Sequence, residues 1–151
     1  MPHIFLVAYA LSGGLTGLRA QRPVPGCPQL PAAPKLSALA NDNRSRAGTV
    51  RSGVLNVRLE TRAVASRPDG PPGCALSVAA FGEEGKATQI PGPLIRVLSG
   101  TTVNVSVRNT LATALWVRGL QDRGPGVLDS TEIAAGASHN FRFVATVPGA
   151  W

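Results

Sequence analysis

Ile90-Pro-Gly-Pro-Leu-Ile-Arg-Val-Leu-Ser-Gly-Thr-Thr-Val-Asn-Val-Ser-Val-Arg-Asn109 is the stretch that decides the fold of this chain. A Pro/Gly-punctuated entry leads into a short apolar run, Ser99-Gly100 makes a turn, and strict alternation follows. Val103, Val105 and Val107 fall on one side, and Thr102, Asn104, Ser106 and Arg108 on the other. A period of two is what a strand requires when one face is buried and the other is wet. The closing stretch, His139-Asn-Phe-Arg-Phe-Val-Ala-Thr-Val-Pro-Gly-Ala-Trp151, repeats the pattern with Phe141 and Phe143 as the inward pair. An apolar strand start that meets the chain end without a turn or polar tail is expected of a domain cut before its last strand or strands.

Upstream, Leu55, Val57 and Leu59 alternate with Asn56, Arg58 and Glu60, which gives a first strand beginning near Gly53. Arg67-Pro-Asp-Gly-Pro-Pro-Gly73 is a turn region, since Pro and Gly supply the dihedrals that reversals need. Cys74 to Phe81, rich in small residues, reads as a buried second strand, and Phe81 to Pro93 as a loop carrying Glu83, Glu84 and Lys86. Pro93 to Val97, Thr101 to Asn109, Leu115 to Leu120 and Ser138 to Ala145 supply four more strands. Short strands at regular spacing, with turn signals between them and no helical period, predict an all-β, antiparallel Greek-key sandwich or barrel.

Before this domain, which spans 51–151, lie two segments of other character. Residues 1–20 hold an apolar run from Ile4 to Leu11 that is too short to span a bilayer, followed by small residues. That layout predicts a signal peptide cut near Ala20, the alternative being a start codon assigned upstream of the true one. The n-region carries no Lys or Arg. Residues 21–50 are Pro-rich and then polar, ending in Asn41-Asp-Asn-Arg-Ser-Arg46, and read as an extended linker. An exported chain with two cysteines and no Cys-x-x-Cys spacing most simply forms one disulfide, Cys27–Cys74. The alternative is Cys74 as a small buried apolar residue with Cys27 free. Leader removal leaves no membrane span, and the expected location is extracytoplasmic, either periplasmic or secreted.

Charge points to no partner by itself. The net charge is +7, and all but two of the fifteen basic residues are Arg. These arginines occur singly from Arg19 to Arg142, without a Lys/Arg run and almost without interleaved aromatics. They read as solvated strand faces rather than a nucleic-acid or anionic-membrane surface.

The order Pro-Gly-Pro-Leu-Ile-Arg-Val, Ser-Gly-Thr-Thr-Val-Asn-Val-Ser-Val-Arg-Asn, Gly-Leu, Ala-Ala-Gly-Ala-Ser, Phe-Arg-Phe and Pro-Gly-Ala-Trp resembles the first plastocyanin-like (cupredoxin) domain of bacterial multicopper oxidases. The resemblance covers Gly53 to Trp151 and implies a cupredoxin-like fold, with copper as the family's cofactor. The implied reaction is one-electron oxidation of substrates coupled to reduction of oxygen to water. It also implies a His-x-His-Gly-Leu segment after the alternating strand, and a second His-x-His after the Pro-Gly-aromatic segment. The first reads Trp116-Val117-Arg118-Gly119-Leu120 here, so Trp116 and Arg118 stand where two histidines would be. The second would lie beyond Trp151.

This departure leaves the chain without an expected metal site of its own. Arginine stays protonated and offers donors only, and Trp116 in a ligand position reads as core or interface packing. The histidines are His3, in the leader, and His139, which lies outside the ligand motifs. No catalytic constellation replaces them. Ser130, Ser138, Asp129 and His139 have no nucleophile-elbow or triad spacing, Glu83-Glu84 reads as a solvated turn, and no glycine run has phosphate-loop spacing. The expectation is an N-terminal cupredoxin fragment of a secreted multicopper-oxidase-like protein, acting as scaffold and interface for downstream cupredoxin domains of the same polypeptide. The alternative is a copper-free cupredoxin-like module for protein binding or envelope structure.

Overall fold

A computed structural model describes residues 26–27, 34–121 and 130–146. The expected leader over 1–20, Asp129, and the Pro148 to Trp151 end lie outside the described residues, as does most of the linker before residue 34. Among the described residues nine strands follow in order: β1 Leu39–Ala40, β2 Thr49–Arg51, β3 Val54–Ser66, β4 Leu76–Glu83, β5 Gln89–Ile90, β6 Thr102–Asn109, β7 Leu115–Arg118, β8 Ser130–Ile133 and β9 Ser138–Val144. The architecture is all-β. A five-stranded sheet runs β2-β3-β6-β9 with β4 on β3, and two-stranded sheets β1-β5 and β7-β8 accompany it.

The main sheet is mixed rather than purely antiparallel. β3 and β6 run parallel with Leu55 opposite Val103 and Val57 opposite Val105, while β6 and β9 run antiparallel with Val103 opposite Phe143 and Val105 opposite Phe141. Alternation in three separate segments thus converges on one face. Leu55, Val57, Val103, Val105, Val107, Phe141 and Phe143 are buried there, joined by Val117 of β7 and Ile133 of β8. Burying one such side chain stabilises the fold by about 1.5–3 kcal/mol.

Several local expectations differ from the structure. β3 loses its alternation midway, because Leu59, Glu60 and Thr61 are all buried. Here the strand exchanges one pairing for another: residues up to Arg58 pair with β6, and Leu59 onward pairs with β4. Glu60 is accommodated by Arg62 and by the Gly85 backbone N–H at 3.1 Å. β4 is not a buried strand: among the described residues it pairs only with β3, and Leu76, Ser77 and Ala79 are exposed. Its small residues suit a sheet margin. Residues 93–97 form no strand, only a single bridge from Leu94 to Arg46.

Residues 36–51, which composition placed largely in an extended linker, are extended but docked. Ala38 N–H donates to Ala65 O at 3.0 Å, Leu39 N–H to Thr88 O at 2.9 Å, and Ala47 N–H to Leu94 O at 2.7 Å. Ala47 is buried in the core. Backbone hydrogen bonds need no apolar pattern, so a Pro-rich and then polar segment can lie against a sheet without advertising it.

Candidate functional site

Leu115 and Val117 of β7 pack on the core, which turns Trp116 and Arg118 to the opposite face of the same strand. Trp116 is 60% exposed, so it is not a core residue. Across the hairpin it stands opposite Glu132, and Arg118 stands opposite Ser130. Gly119 then takes a positive φ of 81°, which ends the strand and returns Leu120 towards the core.

The position of this hairpin is set by Asn109 at the end of β6. Its fully buried side chain donates through Nδ2 to Thr113 O at 2.8 Å and to Ile133 O at 2.9 Å. The first bond shapes the turn leading into β7, and the second holds the end of β8. A buried amide with this many partners fixes geometry, because each partner left unpaired would cost about 1–3 kcal/mol.

Two clefts adjoin β7. The larger, about 600 Å³, has Ile95, Val97, Leu120 and Phe143 among its walls and Arg96 and Arg118 as its cations. The smaller, about 200 Å³, lies between Phe81, Pro93, Trp116 and Leu120. The arrangement offers N–H donors over apolar walls: a guanidinium carries five, and an indole carries one. Neither group has a lone pair for a metal. Imidazole or thiolate donors would be needed to hold copper, and the residues at Trp116 and Arg118 do not fit that ion. Among the described residues no group of three or more His, Cys, Asp or Glu is placed to hold a metal ion.

The other candidates are dispersed. His139 stands opposite Val107 on β9, its ring centroid 4.7 Å from that of Phe141, and it lines neither cleft. Ser138 is opposite Arg108, on a different sheet from Ser130. Glu83 and Glu84 turn to different partners. Glu83 accepts from Lys86 Nζ at 2.7 Å and from the Gly48 N–H at 3.1 Å, and Glu84 faces Arg58 at 3.5 Å. Partial burial raises the Glu83 pKa, but the Lys86 and Gly48 hydrogen bonds and the Lys86 charge outweigh it, leaving the carboxyl below its usual range. Glu83 is therefore a structural clamp rather than half of an acid/base pair. Cys27 and Cys74 form a disulfide with Cα atoms 5.3 Å apart.

No protein-family model and no curated protein matches this chain. Solved structures similar to it include a multicopper oxidase from Campylobacter jejuni, described as a metallo-oxidase, at 21% identity over 76% of this chain and 26% of that one, with a TM-score of 0.41. A laccase from Pediococcus acidilactici is 17% identical over 81% of this chain and 25% of that one, with a TM-score of 0.44. A laccase-like multicopper oxidase from Ochrobactrum sp. is 24% identical over 76% of this chain and 23% of that one, with a TM-score of 0.35. The chain spans about a quarter of the length of these structures.

Proposed function

We propose that this chain is the N-terminal cupredoxin segment of an exported multicopper-oxidase-like protein, and that it supplies scaffold and interface without a copper site of its own. The observation that carries the reading is the pair Trp116 and Arg118, exposed side by side on β7 where the resemblance places a His-x-His. An exposed Trp next to an Arg, beside apolar clefts, is the composition of a binding surface rather than of a metal centre. Downstream cupredoxin domains of the same polypeptide are the partner. Copper chemistry belongs to those domains, residues 1–20 serve as the leader, and the location is the periplasm or the exterior.

A second reading uses the same surface. In a copper-free cupredoxin-like module, Trp116 and Arg118 would contact another protein or an envelope component, and no oxidase domain would exist. The coding DNA beyond the Trp151 codon separates the two. A His-x-His segment, and later a His-Cys-His segment with an axial Met, supports the oxidase reading. A stop codon without them overturns it in favour of the module.

A further inference from the structure

The arginines that the sequence scatters singly are gathered by the fold. The face of the main sheet opposite the core carries Arg51 on β2, Arg58 on β3 and Arg142 on β9, around a shallow concavity of about 810 Å³. Register places the groups between them in rows. Thr49 stands opposite Asn56, Asn56 opposite Asn104, and Asn104 opposite Arg142. In the next row Arg58 stands opposite Ser106, and Ser106 opposite Asn140. Neighbouring strands are ~4.8 Å apart and successive same-face residues ~7 Å apart. The cations therefore flank a polar lattice instead of crowding one point.

The charge on this face is unbalanced. Arg51 and Arg142 have no carboxylate partner among the described residues, and Arg58 meets only Glu84, at 3.5 Å with both side chains well exposed. Asn104 Nδ2 donates to Asn56 Oδ1 at 3.0 Å, which ties those two amides to each other across the strands. Among the described residues no aromatic side chain falls on this face in register, so they offer nothing on which a nucleobase could stack. Guanidinium forks suit carboxylate and sulfate oxygens, and Asn, Ser and Thr both donate to and accept from hydroxyls.

We propose that this face is a binding site for an anionic polysaccharide, a linear sugar polymer bearing carboxylate or sulfate groups. Arg51, Arg58 and Arg142 hold the anionic groups, and Asn56, Asn104 and Asn140 hold the hydroxyls between them. This site is on the opposite side of the main sheet from the core and includes neither Trp116 nor Arg118. It stands or falls independently of the scaffold reading.

The test is titration of the full chain with a size-defined, heparin-derived sulfated octasaccharide by calorimetry, at low and raised salt. The wild type should bind at a single site, more weakly as salt screens the contacts. The triple variant R51Q/R58Q/R142Q should bind about tenfold or more weakly, a loss of 1.4 kcal/mol per tenfold. The variant K35Q/R44Q/R46Q, which removes the same charge from exposed positions elsewhere, should bind like the wild type. A second readout needs no variant: the octasaccharide should protect Arg51, Arg58 and Arg142 of the wild type from phenylglyoxal, read by mass spectrometry. Absence of binding, an equal loss in both triple variants, or protection of other arginines instead would overturn the proposal. Single-stranded DNA bound as tightly through the same three arginines would overturn the polysaccharide assignment.

Discussion

Asn109 Nδ2 donates to the Ile133 carbonyl at 2.9 Å, tying the end of β6 in the main sheet to the end of β8 in the facing hairpin. The same amide reaches Thr113 O at 2.8 Å and Ala134 O at 3.2 Å. Its Oδ1 accepts from the Leu111 N–H at 3.0 Å and pairs with the Thr61 hydroxyl at 3.3 Å. One fully buried side chain therefore joins β3, β6, the turn into β7, and β8.

Replacing Asn109 separates hydrogen bonding from volume. Asn109→Ala should cost about 3 kcal/mol, lowering the thermal midpoint by roughly 15 °C for a domain of this size. Asn109→Asp keeps the shape but loses the N–H₂ donor and turns a carboxylate towards backbone carbonyls. It should be at least as damaging at neutral pH. Denaturant unfolding of the three proteins checks this, and a wild-type midpoint for the Asp variant would remove the amide from its role.

Gly48 and Gly53 flank β2, and both have positive φ, 72° and 73°. A Cβ at Gly48 would lie 2.5 Å from Asn56 O and 2.8 Å from Val57 Cβ, both in β3, whereas one at Gly53 meets nothing within 4 Å. Gly53→Ala should therefore cost only the backbone term, about 1–2 kcal/mol. Gly48→Ala adds a clash with atoms that cannot yield, and should cost about 3 kcal/mol or more. Equal midpoints for the two variants would contradict the close approach.

The Cys27–Cys74 disulfide spans 47 residues and ties the segment before β1 to the turn before β4. Closing a loop of that length removes unfolded-state entropy worth about 4 kcal/mol in the chain-entropy model. Reduction, or a Cys27→Ser/Cys74→Ser double variant, should lower the unfolding free energy by about that amount. A midpoint unmoved by reductant would show that the docked segment holds without the bond.

Glu83 predicts a pH dependence of known sign. Its folded pKa lies below the unfolded value, so the unfolded chain binds the proton more readily. The stabilisation is present above the ordinary carboxylate range and is lost as pH falls through the folded pKa. Glu83→Gln should remove this part of the acid slope while keeping an acceptor for the Gly48 N–H. Parallel stability–pH curves for variant and wild type, measured by urea unfolding below neutrality, would count against the clamp.

The parts of the fold legible in the sequence are those where one face meets the core. Val103, Val105 and Val107, and Phe141 with Phe143, declare their strands through period two, and the structure places them on one buried face. Residues that depend on remote partners are not legible in that way. Glu60 breaks the alternation because Arg62 and Gly85 satisfy it, and Ala47 is buried by a segment held mainly through backbone bonds. The parallel β3–β6 pairing joins residues separated by nearly fifty positions, which no local pattern encodes. At the candidate site, the substitution of Trp116 and Arg118 for ligands is visible in the chain. The exposure of Trp116 and the assembly of Arg51, Arg58 and Arg142 on one face appear only with the strand register.

Copper retention by the purified chain tests the central claim most directly. After incubation with Cu(II) and dialysis against a weak chelator, metal analysis and electron paramagnetic resonance should find no stoichiometric copper and no imidazole-ligated signal, because Trp116 and Arg118 offer donors without lone pairs. One copper retained per chain with histidine ligation would contradict the account.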